Sequence, residues 1–339
     1  MTDILLVAPP FLFPVGPALG AELLAQGCRE RGMSARVYYA CHDFAALISR
    51  RHYESIMHSP PRFPISEAVF APHAWNAEPG IDWARHCPKP VSGWNTNPPA
   101  AVAFRACQRQ VDRFLALATR KILAARPRIV GFSAMAYQTS ASLALAREIK
   151  RRQPDILILF GGAAAVRPAG EELSRIAEML DAVVAGEADH AFPDLCQRYL
   201  ERGIRPPRFL DCGMVEDLDR TTIPDFGDYF RQARALGRRR RQYAGIPNHV
   251  LFESSRGCWW GEKHHCRFCG MNVQHYRRKS PRRILRELKL LVQRHGPMHM
   301  TATDTIMPRD LPKDTLPLLI EAGLRPQLQY ELKANTRPE

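Results

Sequence analysis

The constraint that narrows the fold most is an alternation. Short apolar runs at residues 4–7, 35–40, 129–132, 156–160 and 182–184 are separated by helix-period stretches at 19–31, 102–125 and 142–152, and a last one ends at Arg202. Strand, helix and strand in succession call for a crossover connection, and crossovers join parallel strands. Repetition of the unit gives a doubly wound, Rossmann-like α/β sheet. Ligands of such sheets lie outside the carboxyl ends of the strands. Pro10, Ser133, Gly161, Gly162, Gly186 and Glu187 all fall at those ends, and Gln138 follows in the loop after the third strand.

Residues 41–99 break this rhythm. They are rich in proline, histidine and aromatics, among them Tyr53, Phe70, Trp75, Trp83 and Trp94. The segment is too long for an ordinary connection and too apolar for a disordered one, so it is expected to be an insertion packed over the ligand edge of the sheet. A first domain is expected at 1–212 and a second at 246–339, with a linker at 213–245 between them. The second domain shows strand, helix, strand, helix, strand, the opening of a TIM-like barrel, whose active sites lie at the carboxyl ends of the strands.

Charge is concentrated. The chain carries a formal +14, and residues 231–294 hold 17 Lys and Arg against three acids, so the whole excess lies there. Such a field draws an acidic partner. Nucleic acid is the usual first guess for a basic patch, and an acidic peptide or an acidic electron-transfer protein fits the charge equally well. No run is long and apolar enough to cross a membrane, and no signal peptide opens the chain. A cytoplasmic setting is expected, with the nine cysteines mostly reduced. No G-x-G-x-x-G or G-x-x-x-x-G-K-S/T phosphate loop is present.

Three of the cysteines stand together. Cys258, Cys266 and Cys269 follow an apolar run at 250–252 with the spacing C-x7-C-x2-C. Three thiolates can hold a metal centre but leave one position of a four-iron cluster or a structural zinc site unfilled. His264, His265 or His275 could complete a Cys3His zinc site instead, giving a zinc-dependent nucleic-acid-binding module.

The loop resembles the cluster loop of radical SAM enzymes in their cobalamin-binding branch, and within it the maturases of ribosomally made, modified peptides. The common loop of that family is C-x3-C-x2-C. This chain departs from it with WWGEKHH in the first gap, as the peptide-maturase group does, and keeps the aromatic Phe268 in the last one. The resemblance implies a 4Fe–4S cluster on Cys258, Cys266 and Cys269 as the catalytic and metal-holding residues. It implies S-adenosyl-L-methionine (SAM) bound near Phe268, Asp304 and Glu331, and cobalamin on the first domain. The implied reaction is C-methylation of a precursor peptide, with an acidic electron donor such as flavodoxin or ferredoxin as a partner. The D-x-H-x-x-G pattern that gives cobalt a histidine ligand is absent, and Gln138 is the candidate for the cofactor's lower face. The implied fold is a Rossmann-like cobalamin-binding domain followed by the first half of a partial radical SAM barrel. Because the chain ends at Glu339, a truncated cofactor-binding fragment without catalysis is the alternative expectation.

Overall fold

The computed structural model describes residues 2–12, 16–59, 64–75, 100–244, 249–270, 275–296 and 299–334. Trp83 and Trp94 lie outside them. The first sheet contains β1 (Ile4–Ala8), β2 (Ala35–Tyr39), β3 (Ile129–Ser133), β4 (Leu157–Gly161), β5 (Ala182–Ala185) and β6 (Phe209–Asp211). All are parallel, in the order β2-β1-β3-β4-β5-β6. The order reverses between β1 and β3, which makes a switch point of the kind where open α/β sheets take ligands. β1 and β5 are buried along their whole length, as a parallel sheet covered on both faces requires.

The two-residue period of the strands sorts their side chains into two cores. Leu5, Val7, Val130 and Phe132 face one, and Ile4, Leu6, Ile129 and Leu157 face the other. The first core is covered by α2 (Ala40–Leu47), α3 (Arg50–Met57), α4 (Ile65–Trp75), α5 (Ala100–Gln108), α6 (Val111–Ala124), α7 (Thr139–Arg152) and α8 (Ala169–Ile176). The described part of the segment at 41–99 packs on this face of the sheet and also reaches the loop after β1, where Phe11 lies against Phe44, Tyr53 and Phe70 and the Tyr53 hydroxyl donates to the Leu12 carbonyl at 2.7 Å. Its buried aromatic residues form one cluster. Phe44 packs against Phe70 and Phe114 with ring centroids 5.2 and 5.1 Å apart. Glu67 on α4 then caps α7, accepting from the backbone N–H of Thr139 at 2.8 Å and of Ser140 at 2.6 Å. The stretch at 102–125, expected as one helix, is divided between α5 and α6.

The second core is covered by α1 (Leu19–Glu30), α9 (Ala191–Arg202) and α10 (Gly227–Arg239). α10 falls in the segment read from sequence as a linker, and it closes the edge of the sheet. Asp228 accepts the Val37 N–H at 2.9 Å. Gln232 accepts the Tyr39 N–H at 2.9 Å and donates to the Val37 carbonyl at 2.8 Å. The outer hydrogen-bonding groups of β2 are thus matched by side chains, and the strand offers no open template for another chain.

The second sheet holds β7 (His249–Phe252), β10 (His299–Ala302) and β11 (Gln327–Gln329), parallel in the order β11-β10-β7. A two-residue antiparallel ribbon, β8 (Ser255–Arg256) with β9 (Arg277–Arg278), follows β7. α11 (Pro281–His295) connects to β10, and α12 (Leu311–Asp314) and α13 (Leu316–Glu321) connect to β11. α11 starts where its sequence says it should. Ser280 caps it by accepting the Arg283 N–H at 3.2 Å, with Pro281 at the first helical position. The expected strand and helix order is present, but the described residues form an open sheet and no closed barrel. Val250, Phe252, Ile284 and Leu288 join the same core as Ile4 and Leu6, so one apolar cluster runs from the first sheet into the second.

One buried carboxyl gives the fold a pH dependence. Glu22 on α1 accepts the Tyr39 hydroxyl at 2.8 Å, its other oxygen has no partner, and burial pushes its pKa up to about 8. The unfolded value is about 4.3. The associated stability is fully present below the unfolded value and is lost as pH rises through about 8. The thermal midpoint should therefore fall between about pH 5 and pH 9, and Glu22→Gln should flatten that fall. Equal slopes for the two proteins in a melting series would contradict the assignment.

Candidate functional site

A cavity of 220 Å³ opens at the carboxyl ends of β1, β3, β4 and β5. Its walls are apolar: Leu6 from β1, Leu159 from β4, Leu19 and Leu23 from α1, and Phe192 from α9. Its rim brings together Ser133, Gly161, Gly162, Gly186 and Glu187. Gly162 has φ +91, and a Cβ there would sit 2.5 Å from the Ala134 carbonyl oxygen. Any other residue would clash with the loop after β3 and carry backbone strain of about 1–3 kcal/mol. The two loops can lie this close, and leave the space above them open, because the position is glycine.

At its far end the cavity is polar and meets the second unit. Arg256 uses each of its five N–H donors. Nε and Nη2 donate to Glu253 at 2.9 and 2.8 Å, Nη1 and Nη2 donate to Asp189 at 2.9 Å each, and Nη1 also donates to Glu187 at 2.9 Å. Arg277 grips Glu187 from the other side at 2.8 and 2.7 Å, and Glu187 also accepts the Val215 N–H at 2.8 Å. Behind Glu253 lies Lys279, fully buried, with Glu253 at 3.4 Å and Glu287 at 2.8 Å. Burial raises the pKa of Glu253, but the Lys279 ammonium and the Arg256 guanidinium outweigh it and hold the carboxyl at about 2. Burial likewise acts upward on Glu187, where Arg277, the Val215 N–H and Arg256 prevail and lower it. Part of the positive excess at 231–294 is therefore neutralised inside the protein.

The cysteine loop hangs from the ribbon of β8 and β9. Its first gap is well anchored: the Trp259 indole donates to the Met307 carbonyl at 3.0 Å, and Trp260 lies 4.7 Å from His264, with the Lys333 ammonium 3.2 Å from its centroid. Glu262 accepts the Tyr276 N–H at 2.8 Å and pairs with His275 at 2.7 Å. Cys258, Cys266 and Cys269 are half-buried and in no disulfide. Among the described residues no group of three or more His, Cys, Asp or Glu side chains is placed to hold a metal ion. The three thiols are close in sequence and are not gathered in space, and two of the histidines offered for zinc are engaged with Trp260 and Glu262.

The remaining sequence candidates are dispersed. Phe268 is 93% exposed. Asp304 is buried and turned into the bend after β7, where it accepts the Ser254 N–H at 2.8 Å and the Ser254 and Ser255 hydroxyls at 2.6 Å each; burial raises its pKa. Glu331 is exposed. Gln138 is buried as a brace and does not line the cavity: its amide donates to the Pro9 carbonyl at 2.8 Å and accepts the Met135 N–H at 2.8 Å, tying the loop of Pro10 to the loop after β3. Sequence reasoning missed the α1 wall, Asp189, and the role of Arg256. Leu19 and Leu23 carry no signal that separates a cavity wall from a core.

Residues 102–196 match the family model described as the B12 binding domain. Among curated proteins no relative matches the chain. The match runs from α5 into α9 and includes the loops after β3, β4 and β5 that form the rim. A cobalamin-binding domain is thus present. Among the described residues no helix is long and apolar enough to cross a membrane.

The α1 wall is testable without disturbing the core. Gly20 faces the cavity, and a Cβ on it would meet only the Ser133 hydroxyl at 3.6 Å, an ordinary contact. Gly20→Ala should keep the fold and bind cobalamin, whereas Gly20→Phe should keep the fold and lose at least about tenfold in affinity, equivalent to about 1.4 kcal/mol. Equilibrium dialysis checks this, and equal affinity in both variants would move the cofactor elsewhere.

Proposed function

We propose that this chain is a cobalamin-binding protein and that the strand-end cavity holds the nucleotide tail of the cofactor. The observation that carries the reading is the coincidence of this cavity with the matched segment. The donor set suits the group. A flat aromatic base fits between Leu19, Leu23, Leu159 and Phe192, and the backbone at Gly161 and Gly162 can approach a sugar-phosphate closely. Cobalamin, when bound, supplies a cobalt–carbon bond from which an alkyl group is transferred. The protein binds and orients it and excludes water from it. No D-x-H-x-x-G pattern occurs in the chain, so on this reading the cobalt takes no histidine ligand from it. Dialysis of the full chain against hydroxocobalamin should give about one cofactor per chain, and electron paramagnetic resonance of the Co(II) form should lack splitting from a histidine nitrogen. Failure to bind, or a histidine signal, overturns the reading.

A second reading concerns the cysteine loop. The C-x7-C-x2-C spacing, with the thiols half-buried just past the carboxyl end of β7, favours a radical SAM centre that methylates a precursor peptide with electrons from an acidic donor. As arranged, the three thiols do not fit a cluster, so no chemical step is derived through one. The basic segment at 231–294 supports an acidic partner for this reading. Anaerobic reconstitution discriminates. About four irons per chain, lost in Cys258→Ala, is the outcome for the radical reading. Stoichiometric zinc without iron points to the Cys3His module, and uptake of neither leaves cofactor binding alone.

A further inference from the structure

The cavity and the cysteine loop share one side chain. Arg256 lines the cavity and lies two residues before Cys258, with Gly257 between them at φ +84. Its partner in the ribbon is Arg277, which clamps Glu187 on the cavity rim. Both strands of the ribbon that flanks the cysteine residues are therefore fastened to residues that a ligand in the cavity would touch. Within the loop, the Gly261 N–H donates to the Cys258 sulfur at 3.2 Å, so a shift of the ribbon reaches the first thiol directly.

We propose that Arg256 is a positioning residue that couples occupancy of the strand-end cavity to the arrangement of Cys258 and the loop behind it. The inference rests on the cobalamin reading above and adds the coupling to it. A cofactor seated against the segment of Glu187 and Asp189 narrows the positions open to their carboxylates. The forked contacts of Arg256 pass that restriction to the ribbon, because a bidentate guanidinium fixes direction as well as distance. Coupling between two sites is reciprocal, so the state of the loop alters cofactor affinity by the same factor.

The experiment uses the full chain, reduced and anaerobic. Alkylation of each cysteine by N-ethylmaleimide is followed by peptide mass spectrometry, without cofactor and at saturating cyanocobalamin. Buried Cys28 and Cys107 serve as internal controls. Occupancy should change the rate at Cys258 at least about fivefold, the lower end of ordinary coupling. Arg256→Gln should bring that ratio to about one, and Arg256→Lys should give an intermediate ratio, because an ammonium lacks the fork. Asp189→Asn, which weakens the same contact from the other side, should reduce the ratio too and stands in if Arg256→Gln does not fold. Dialysis runs in parallel. Cofactor bound with the Cys258 rate unchanged, or with equal ratios in wild type and Arg256→Gln, overturns the coupling and leaves cobalamin binding standing. No cofactor bound overturns both.

Discussion

Two guanidiniums, Arg256 and Arg277, tie the second unit of this protein to the loop after β5. Arg256 satisfies three carboxylates at once, two from the loop after β5 and one from the end of β7. Charges taken out of water in this way are held only if every partner is present, and removal of one partner from a buried pair costs about 3–5 kcal/mol. The network extends through Glu253 to Lys279 and Glu287, so the capping of α11, the end of β7 and the cavity rim form one electrostatic unit. The apolar cluster that runs between the sheets sets their distance, and the ion pairs set their register.

The same arrangement explains why the cavity is both apolar and polar-ended. Strand-end glycines bring the backbone of neighbouring loops together, and leucines of α1 roof the space they leave. The carboxylates at the open end are already engaged by arginines, so the cavity does not present bare negative charge to a ligand. An aromatic group can enter the apolar part while amide and phosphate groups remain at the rim, which is the division of surface that a nucleotide-tailed corrin presents.

Much of the fold was legible because parallel strands buried on both faces read as apolar runs. β1, β3, β4 and β5 stand out in the sequence for that reason. β6 does not: Phe209–Asp211 is three residues long, follows two prolines and is half-exposed. The break between α5 and α6 has no proline or glycine to announce it. α10 was hidden by its acidic, proline-containing approach, although Asp228 and Gln232 carry the polar groups that complete β2. For the site, the strand-end glycines were visible as breaks after apolar runs, and the cysteines were visible from their spacing. Arg256 looked like one charge among many in a basic segment, since sequence gives sign but not partner. Asp304 and Gln138 were recognisable as polar residues at strand ends, yet their hydrogen bonds go to the protein's own turns.

Hydrogen–deuterium exchange of the full chain with and without cyanocobalamin tests the central claim most directly, because it reads the loops themselves. The account predicts slowed exchange at residues 131–136, 160–165 and 186–190, with β6 unchanged. Protection confined to other segments, or none at saturating cofactor, would contradict it.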